Sequence, residues 1–388
     1  MLIQNIQRNC PAPLSNTVQQ KKSFSTKPYA NDCFKPSFSG NFWSETAENI
    51  SLFANNAARE ILDGKLTTAE AHLNHVSPNT KSPEINFLRG TIEHLKAVSS
   101  KEKDNETVKT HLENAMKYYT EAIENSSENQ RILISSHIQK NGLLQLNEDV
   151  QGALNELDTA IKLRHIFNPA KDDPNSSLTQ LTEHTVMTSN ENLSEAYLTK
   201  AVLHLFDSDI NNAFECSKKS VLYNPYSPSS HSIKGQILQI VGLAAKDDKE
   251  KEKYFTHAEK DLQKAVKYSG RHPEMLSNLA ELYKIQGKNK QALGIYKKLL
   301  RIDPENKEAL LSEGLLNMVE KKPAAAIFNF NVILRETSNS KTDLRQKEIA
   351  AKYKKFVDNG YKIDDKLKKD VQNIFIADVL RKLKVENS

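Results

Sequence analysis

From residue 50 onward, apolar side chains recur at every third or fourth position. Ile50, Phe53, Ala54, Ala57 and Ile61 mark one face of a helix, Gly64 interrupts it, and Ala69, Leu73 and Val76 resume it. The unit is helix, short turn, helix, and it recurs. Small residues return on successive first helices at Ala201, Gly235, Ala280 and Gly314, with separations of 34, 45 and 34 residues. Ala213, Ala258, Ala292 and Ala326 play the matching part on the second helices. Such positions suit the closest approach of paired helices, where a large side chain would push the backbones apart. Nearer the N-terminus, Ala57 and Gly90 lie 33 residues apart, and Ala115, Tyr119 and Ala122, then Ala153, Leu157 and Ala160, mark two further second helices. The pattern predicts seven hairpins, at residues 44–77, 82–125, 129–165, 191–225, 228–270, 273–304 and 307–337.

The clearest copy is 273–304. Leu276, Leu279, Ala280 and Tyr283 share the first helix, Gly287 closes it in a left-handed conformation, and Ala292, Tyr296 and Leu299 share the second. Asp303-Pro304 ends the unit, with Pro304 expected in the first turn of the next helix. In spacing and residue size this copy resembles the tetratricopeptide repeat, a helix–turn–helix of about 34 residues. The resemblance covers 44–337 and implies an all-α solenoid of helical hairpins, wound as a right-handed superhelix. It implies domains at 1–42 (tail), 43–337 (array) and 338–388 (capping helices).

The copies are uneven. In the seventh unit Asn317 replaces Tyr283 and Glu313 replaces the apolar Leu279. Three insertions, at about 99–110, 166–190 and 246–253, are expected as loops, and the second is rich in Pro, Ser and Thr and is expected to divide the array. Beyond 338, Leu344, Ile349, Tyr353 and Phe356 suggest one helix, and Leu367, Val371, Phe375, Val379 and Leu383 another. Their lysine-rich polar faces suit the end of a repeat stack.

Composition narrows the function classes. The 388 residues are 38% hydrophobic and 27% charged, with 12 glycines and 13 prolines, and the mean hydropathy is −0.61. No apolar run approaches the ~20 residues that span a bilayer. Three cysteines (Cys10, Cys33 and Cys216) make no disulfide framework and point to a reducing compartment, hence a cytoplasmic setting. Residues 1–42 lack periodicity, hold no acidic residue before Asp32 and are expected to be disordered. Targeting or secretion through this acid-poor tail is the alternative localisation, and the aromatic run from Phe34 to Trp43 is a candidate docking element. The net charge of +5 is unevenly placed, with +9 over 246–388 and −4 over 1–245.

Catalytic motifs are missing: there is no Gly-rich phosphate loop, H-E-x-x-H, C-x-x-C or nucleophile elbow. His72 and His75 lie on one helix, but two ligands make a poor metal site. Cys216 sits beside Lys218 and Lys219 and reads as a packing cysteine. The expectation is therefore a non-enzymatic protein without cofactor or metal. The family resemblance implies a concave groove lined by first helices that holds a peptide or helix of a partner protein. The groove residues projected here are Gln236, Gln239, Ser277, Asn278, Glu281, Lys284 and Leu315. One subclass of the family clamps a chaperone's C-terminal carboxylate with two lysines, two asparagines and an arginine. Only Asn278 fits that pattern. Ser232 and Gln236 stand in the first Lys and Asn places, and Glu308 and Ser312 in those of the last Lys and Arg. The alternative is nucleic-acid binding by the basic C-terminal half, with Tyr353, Phe356 and Tyr361 as base-stacking candidates.

Overall fold

The computed structural model describes residues 46–99, 105–126, 129–187, 189–335, 341–360 and 364–383. The expected tail 1–42, the aromatic run to Trp43, Cys10, Cys33 and Tyr361 lie outside the described residues. Within them, regular structure consists of seventeen α-helices and one short 3-10 turn, with no strand. No helix is long and apolar enough to cross a membrane among the described residues. The chain divides into two compact units between Ala196 and Tyr197.

The N-terminal unit stacks three hairpins. They are α1 (Ala47–Leu62) with α2 (Leu66–Leu73), α3 (Pro83–Ser99) with α4 (Asn105–Asn125), and α5 (Gln130–Leu146) with α6 (Val150–Ile166). A 3-10 turn (Pro169–Lys171) and a short helix, α7 (Ser177–Thr182), follow. The division between the units falls inside α8 (Asn190–Phe206), beyond the insertion at 166–190 that was expected to make it. The C-terminal unit continues with α9 (Ile210–Tyr223), α10 (Pro228–Ala244) and α11 (Asp248–Tyr268). Then come α12 (Pro273–Ile285), α13 (Asn289–Ile302), α14 (Lys307–Val319), α15 (Pro323–Arg335), α16 (Lys341–Asp358) and α17 (Asp365–Leu383).

One turn joins most hairpins, and its chemistry is local. The residue after the first helix takes a left-handed conformation at Gly64, Glu148, Ser208, Gly287 and Lys321, with φ from 59° to 75°. At Gly287 the main-chain pair Gly287 N→Lys284 O (3.2 Å) and Lys288 N→Tyr283 O (2.9 Å) forms a Schellman closure that satisfies two terminal carbonyls. The same pair recurs at Glu148–Asp149 and Ser208–Asp209. There Asp149 and Asp209 cap the second helix through their side chains.

The close approaches lie between the helices of a hairpin. A Cβ on Gly235 would come 2.7 Å from Leu262, on Gly314 2.7 Å from Phe330, and on Gly90 2.8 Å from Tyr119. Ala201, Ala213, Ala258, Ala280, Ala292 and Ala326 are fully buried, and Leu276, Leu279, Tyr283 and Tyr296 are buried as well. Ala280→Leu is therefore expected to cost about 1–3 kcal/mol by overpacking. It should lower the melting temperature of the C-terminal unit by several degrees, and calorimetry showing no shift would disprove this packing. Glu313, the polar substitute for an apolar position, accepts a hydrogen bond of 2.9 Å from Asn329 on the partner helix.

Four expectations change. The insertion at 246–253 is not a loop: α11 begins at Asp248, capped by the Asp247 side chain. A run of Asp, Lys and Glu without glycine or proline favours extra helical turns. At 99–110, α3 reaches Ser99 and α4 starts at Asn105, so half of that stretch is also helix. Pro304 lies before the N-cap Asn306 and outside α14, in the turn rather than the first helical turn. On α16 the buried stripe is Ala350, Tyr353 and Val357, whereas Leu344 and Phe356 are exposed. α16 packs on α14 and α15 as a further first helix would. α17 lies on α12 and α14.

Candidate functional site

In the C-terminal unit the first helices α10, α12 and α14 form one face, and the projected groove residues fall on it in two groups. Asn278 Nδ2 on α12 donates to Ser232 Oγ on α10 at 2.9 Å, and Gln236 Nε2 donates to the same hydroxyl at 3.2 Å. Gln236, Ser277 and Asn278 are half-buried. The second group is closed. Lys284 is only 1% exposed, its Nζ donates to Ser312 Oγ on α14 at 3.2 Å, and the Phe375 ring of α17 lies 4.7 Å away. Glu281, Gln239 and Leu315 are also buried.

Lys284 is shielded because α17 lies on this face. Leu367, Val371 and Phe375, each four residues from the last, are buried, while Asp365, Lys366, Lys368, Lys369 and Asp370 face water. Gln372 Nε2 donates to the Ile285 carbonyl at 2.6 Å. That carbonyl ends α12 and has no partner within its own helix, so the side chain acts as a cap from outside. The spacing of 367, 371 and 375 marks a narrow apolar stripe, but nothing in the sequence says which surface receives it.

The first-helix face of the N-terminal unit is covered as well. α7 lies on α1 and α5. Asn55 Oδ1 on α1 accepts from Ser176 Oγ at 2.6 Å and from Leu178 N at 3.3 Å, at the start of α7. Arg131 on α5, 6% exposed, reaches Asp172 Oδ2 through Nε and Nη2, each at 2.9 Å. Its Nη1 donates to Thr179 O and Thr182 Oγ1, both at 3.2 Å, and the guanidinium stands 5.4 Å from the Phe167 ring. Neither Arg131 nor Asn55 is recognisable as functional in sequence, because each acts through residues more than 40 positions away.

Of the remaining candidates Phe356 is exposed, whereas others are packed. His75 stacks on Phe53, and Cys216 is buried. Among the described residues no three His, Cys, Asp or Glu side chains form a group suited to a metal ion. Tyr353 is buried and offers no free face for stacking. Asp261 accepts from His231 Nδ1 at 2.8 Å and pairs with Lys234 at 3.0 Å. Burial raises its pKa, but the hydrogen bonds from His231 and Lys234 outweigh it and hold the carboxyl below its ordinary value. This cluster ties α10 to α11 behind the face.

The tetratricopeptide repeat family model matches residues 273–306. Several solved structures are similar. A thermophilic tetratricopeptide-repeat protein from Thermus thermophilus is 16% identical with a TM-score of 0.41, over 55% of this chain and 97% of that one. A tetratricopeptide repeat protein from Parabacteroides merdae is 14% identical with a TM-score of 0.45, over 79% of this chain and all of that one. YrrB, described as having an unusual peptide-binding site, is 16% identical with a TM-score of 0.40, over 61% of this chain and 97% of that one. No curated protein matches in sequence.

Proposed function

For this tetratricopeptide-repeat protein, whose repeat stands at residues 273–306, we propose the work of a non-enzymatic scaffold that binds a partner protein on the first-helix face of its C-terminal unit. One observation carries this reading: the face of α12 and α14 already receives a helix, α17, through an apolar stripe and a side-chain cap. A surface that holds one amphipathic helix has the shape and chemistry to hold another. The half-buried amides of Gln236 and Asn278 extend it toward α10 with polar groups that fix orientation. The scarcity of cysteine, three in 388 residues, supports a reducing, cytoplasmic setting for this work.

The test compares two positions on the folded chain. A photo-crosslinking amino acid at Gln236 probes the inner face, and one at exposed Lys297 on α13 probes the outer face. Irradiation in native extract should join one protein to the Gln236 position, insensitive to nuclease, and leave the Lys297 position largely unlabelled. Equal labelling at both positions would rule out a specific inner face.

A further inference from the structure

We infer that α17 is a displaceable resident of the α12–α14 face, and that the partner bound there is an amphipathic helix carrying the same recognition stripe. The stripe is three apolar anchors at i, i+4 and i+8, the last aromatic, with a hydrogen-bond donor one position after the middle anchor. This rests on the scaffold reading above and adds the kind of ligand it takes.

The stripe is read from α17 itself. Leu367, Val371 and Phe375 are its anchors, and Gln372 is the donor that meets the free carbonyl of Ile285. Ile374 and Ile376 are partly buried beside them, whereas Asp365, Lys366, Lys368, Lys369 and Asp370 are exposed, so α17 already has a polar side that tolerates water on leaving. Lys284 lies in the middle of the receiving surface, 1% exposed, beside Ser312 and under the Phe375 ring, so its reactivity reports whether α17 is in place. α17 also packs apart from its sequence neighbour: α16 lies along α14 and α15, whereas α17 lies on α12 and α14. A helix joined to its site by a short connection binds at high effective concentration, so a weak site is filled in cis and only a better-matched helix takes its place.

The N-terminal unit shows that covering a first-helix face is not peculiar to one end of the chain. There α7 lies on α1 and α5, but the surrounding segment is stapled by Arg131 to Asp172, Thr179 and Thr182. The two covers differ in kind: one is anchored by a buried guanidinium, the other by an apolar stripe that a foreign helix can copy.

The experiment uses the full chain, wild type and Phe375→Asp, with Gln372→Ala as a milder variant should the first lose helicity. The first readout is acetylation of Lys284 by an amine-reactive ester, relative to exposed Lys297, followed by mass spectrometry. The second is binding of a fluorescent synthetic peptide of residues 364–383. Lys284 should react at least tenfold faster in Phe375→Asp than in wild type, and the variant should bind the peptide at least tenfold more tightly. Unlabelled peptide should restore protection of Lys284, and a peptide with Asp in place of its phenylalanine should not. Gln372→Ala should shift both readouts the same way by a smaller factor. Lys284 protected equally in folded wild type and both variants overturns the proposal. Exposure of Lys284 without peptide binding also overturns it. If the Gln236 crosslink still forms in either case, the scaffold reading survives and only the assignment of α17 as competing ligand falls.

Discussion

Replacing Arg131 by Met should destabilise the N-terminal unit by about 3–5 kcal/mol and release residues 167–187 to protease. The guanidinium is 6% exposed and serves four groups: the Asp172 carboxylate at 2.9 Å, the Thr179 carbonyl and Thr182 hydroxyl at 3.2 Å, and the Glu183 carboxylate at 3.5 Å. Methionine fills most of the volume and answers none of them. Asp172 is left as a half-buried charge without its cation, and the half-buried Thr179 carbonyl keeps only the Thr182 hydroxyl as a donor. The segment keeps the Asn55 cap and the Thr185–Ser135 hydroxyl pair, so it should loosen rather than unfold with the whole unit. Arg131→Lys should recover little, because a single ammonium cannot reach the carboxylate, carbonyl and hydroxyl together as a planar fork does. Limited proteolysis with peptide mapping reads the local effect, and urea unfolding reads the energy. A variant that cuts no faster within 167–187 would show that Arg131 is not the staple.

The hairpins are legible because their signals are local and redundant. A small residue every 34 positions, a helical apolar period and a turn residue all agree, and agreement across levels is what specifies a fold. Gly287 announces its left-handed turn, but Glu148, Ser208 and Lys321 adopt the same conformation without any such mark. There the two main-chain bonds of the closure compensate for the backbone strain, joined after Glu148 and Ser208 by the Asp149 and Asp209 caps. The insertion at 246–253 departs from expectation for a related reason: its excess over the repeat length says nothing about conformation, while its composition favours helix. The candidate site is half legible. Projection singles out Gln236, Asn278 and Lys284, which lie on the first helices α10 and α12. The site's occupation by α17 is not visible in sequence, since an apolar stripe at 367, 371 and 375 fits any complementary surface equally well. The match is fixed only in three dimensions, where Gln372 meets the end of α12 and Phe375 covers Lys284.

Mild acid should weaken the N-terminal unit through His94. This imidazole on α3 is 3% exposed, lies edge-on to the Tyr119 ring at 6.4 Å, and its Nδ1 has no hydrogen-bond partner among the described residues. Burial lowers its pKa from the ordinary 6.5 to about 4. The unfolded chain then takes up a proton first as pH falls. Stability is complete above about pH 6.5, declines between 6.5 and 4, and levels off below, for a loss on the order of 3 kcal/mol. The depressed carboxylates of this unit, Glu93 and Glu156, act in a lower window. Burial raises each, bonds to His111 and Lys96 and to His137 and Lys140 outweigh it, and their contribution is lost only as pH falls through and below their ordinary 4.5. His184 runs the other way: its hydrogen bond to Glu195 raises its pKa above 6.5, so its contribution is present in acid and fades as pH rises. His94→Leu should therefore remove most of this decline. What remains between pH 7 and 5 is set by His72, whose pKa burial lowers, and His184, whose pKa Glu195 raises, and these act in opposite directions. Hydrogen exchange of α3 and α4 across that range reads the N-terminal unit without averaging over the other. A wild-type decline that persists unchanged in His94→Leu would assign the acid sensitivity to another group.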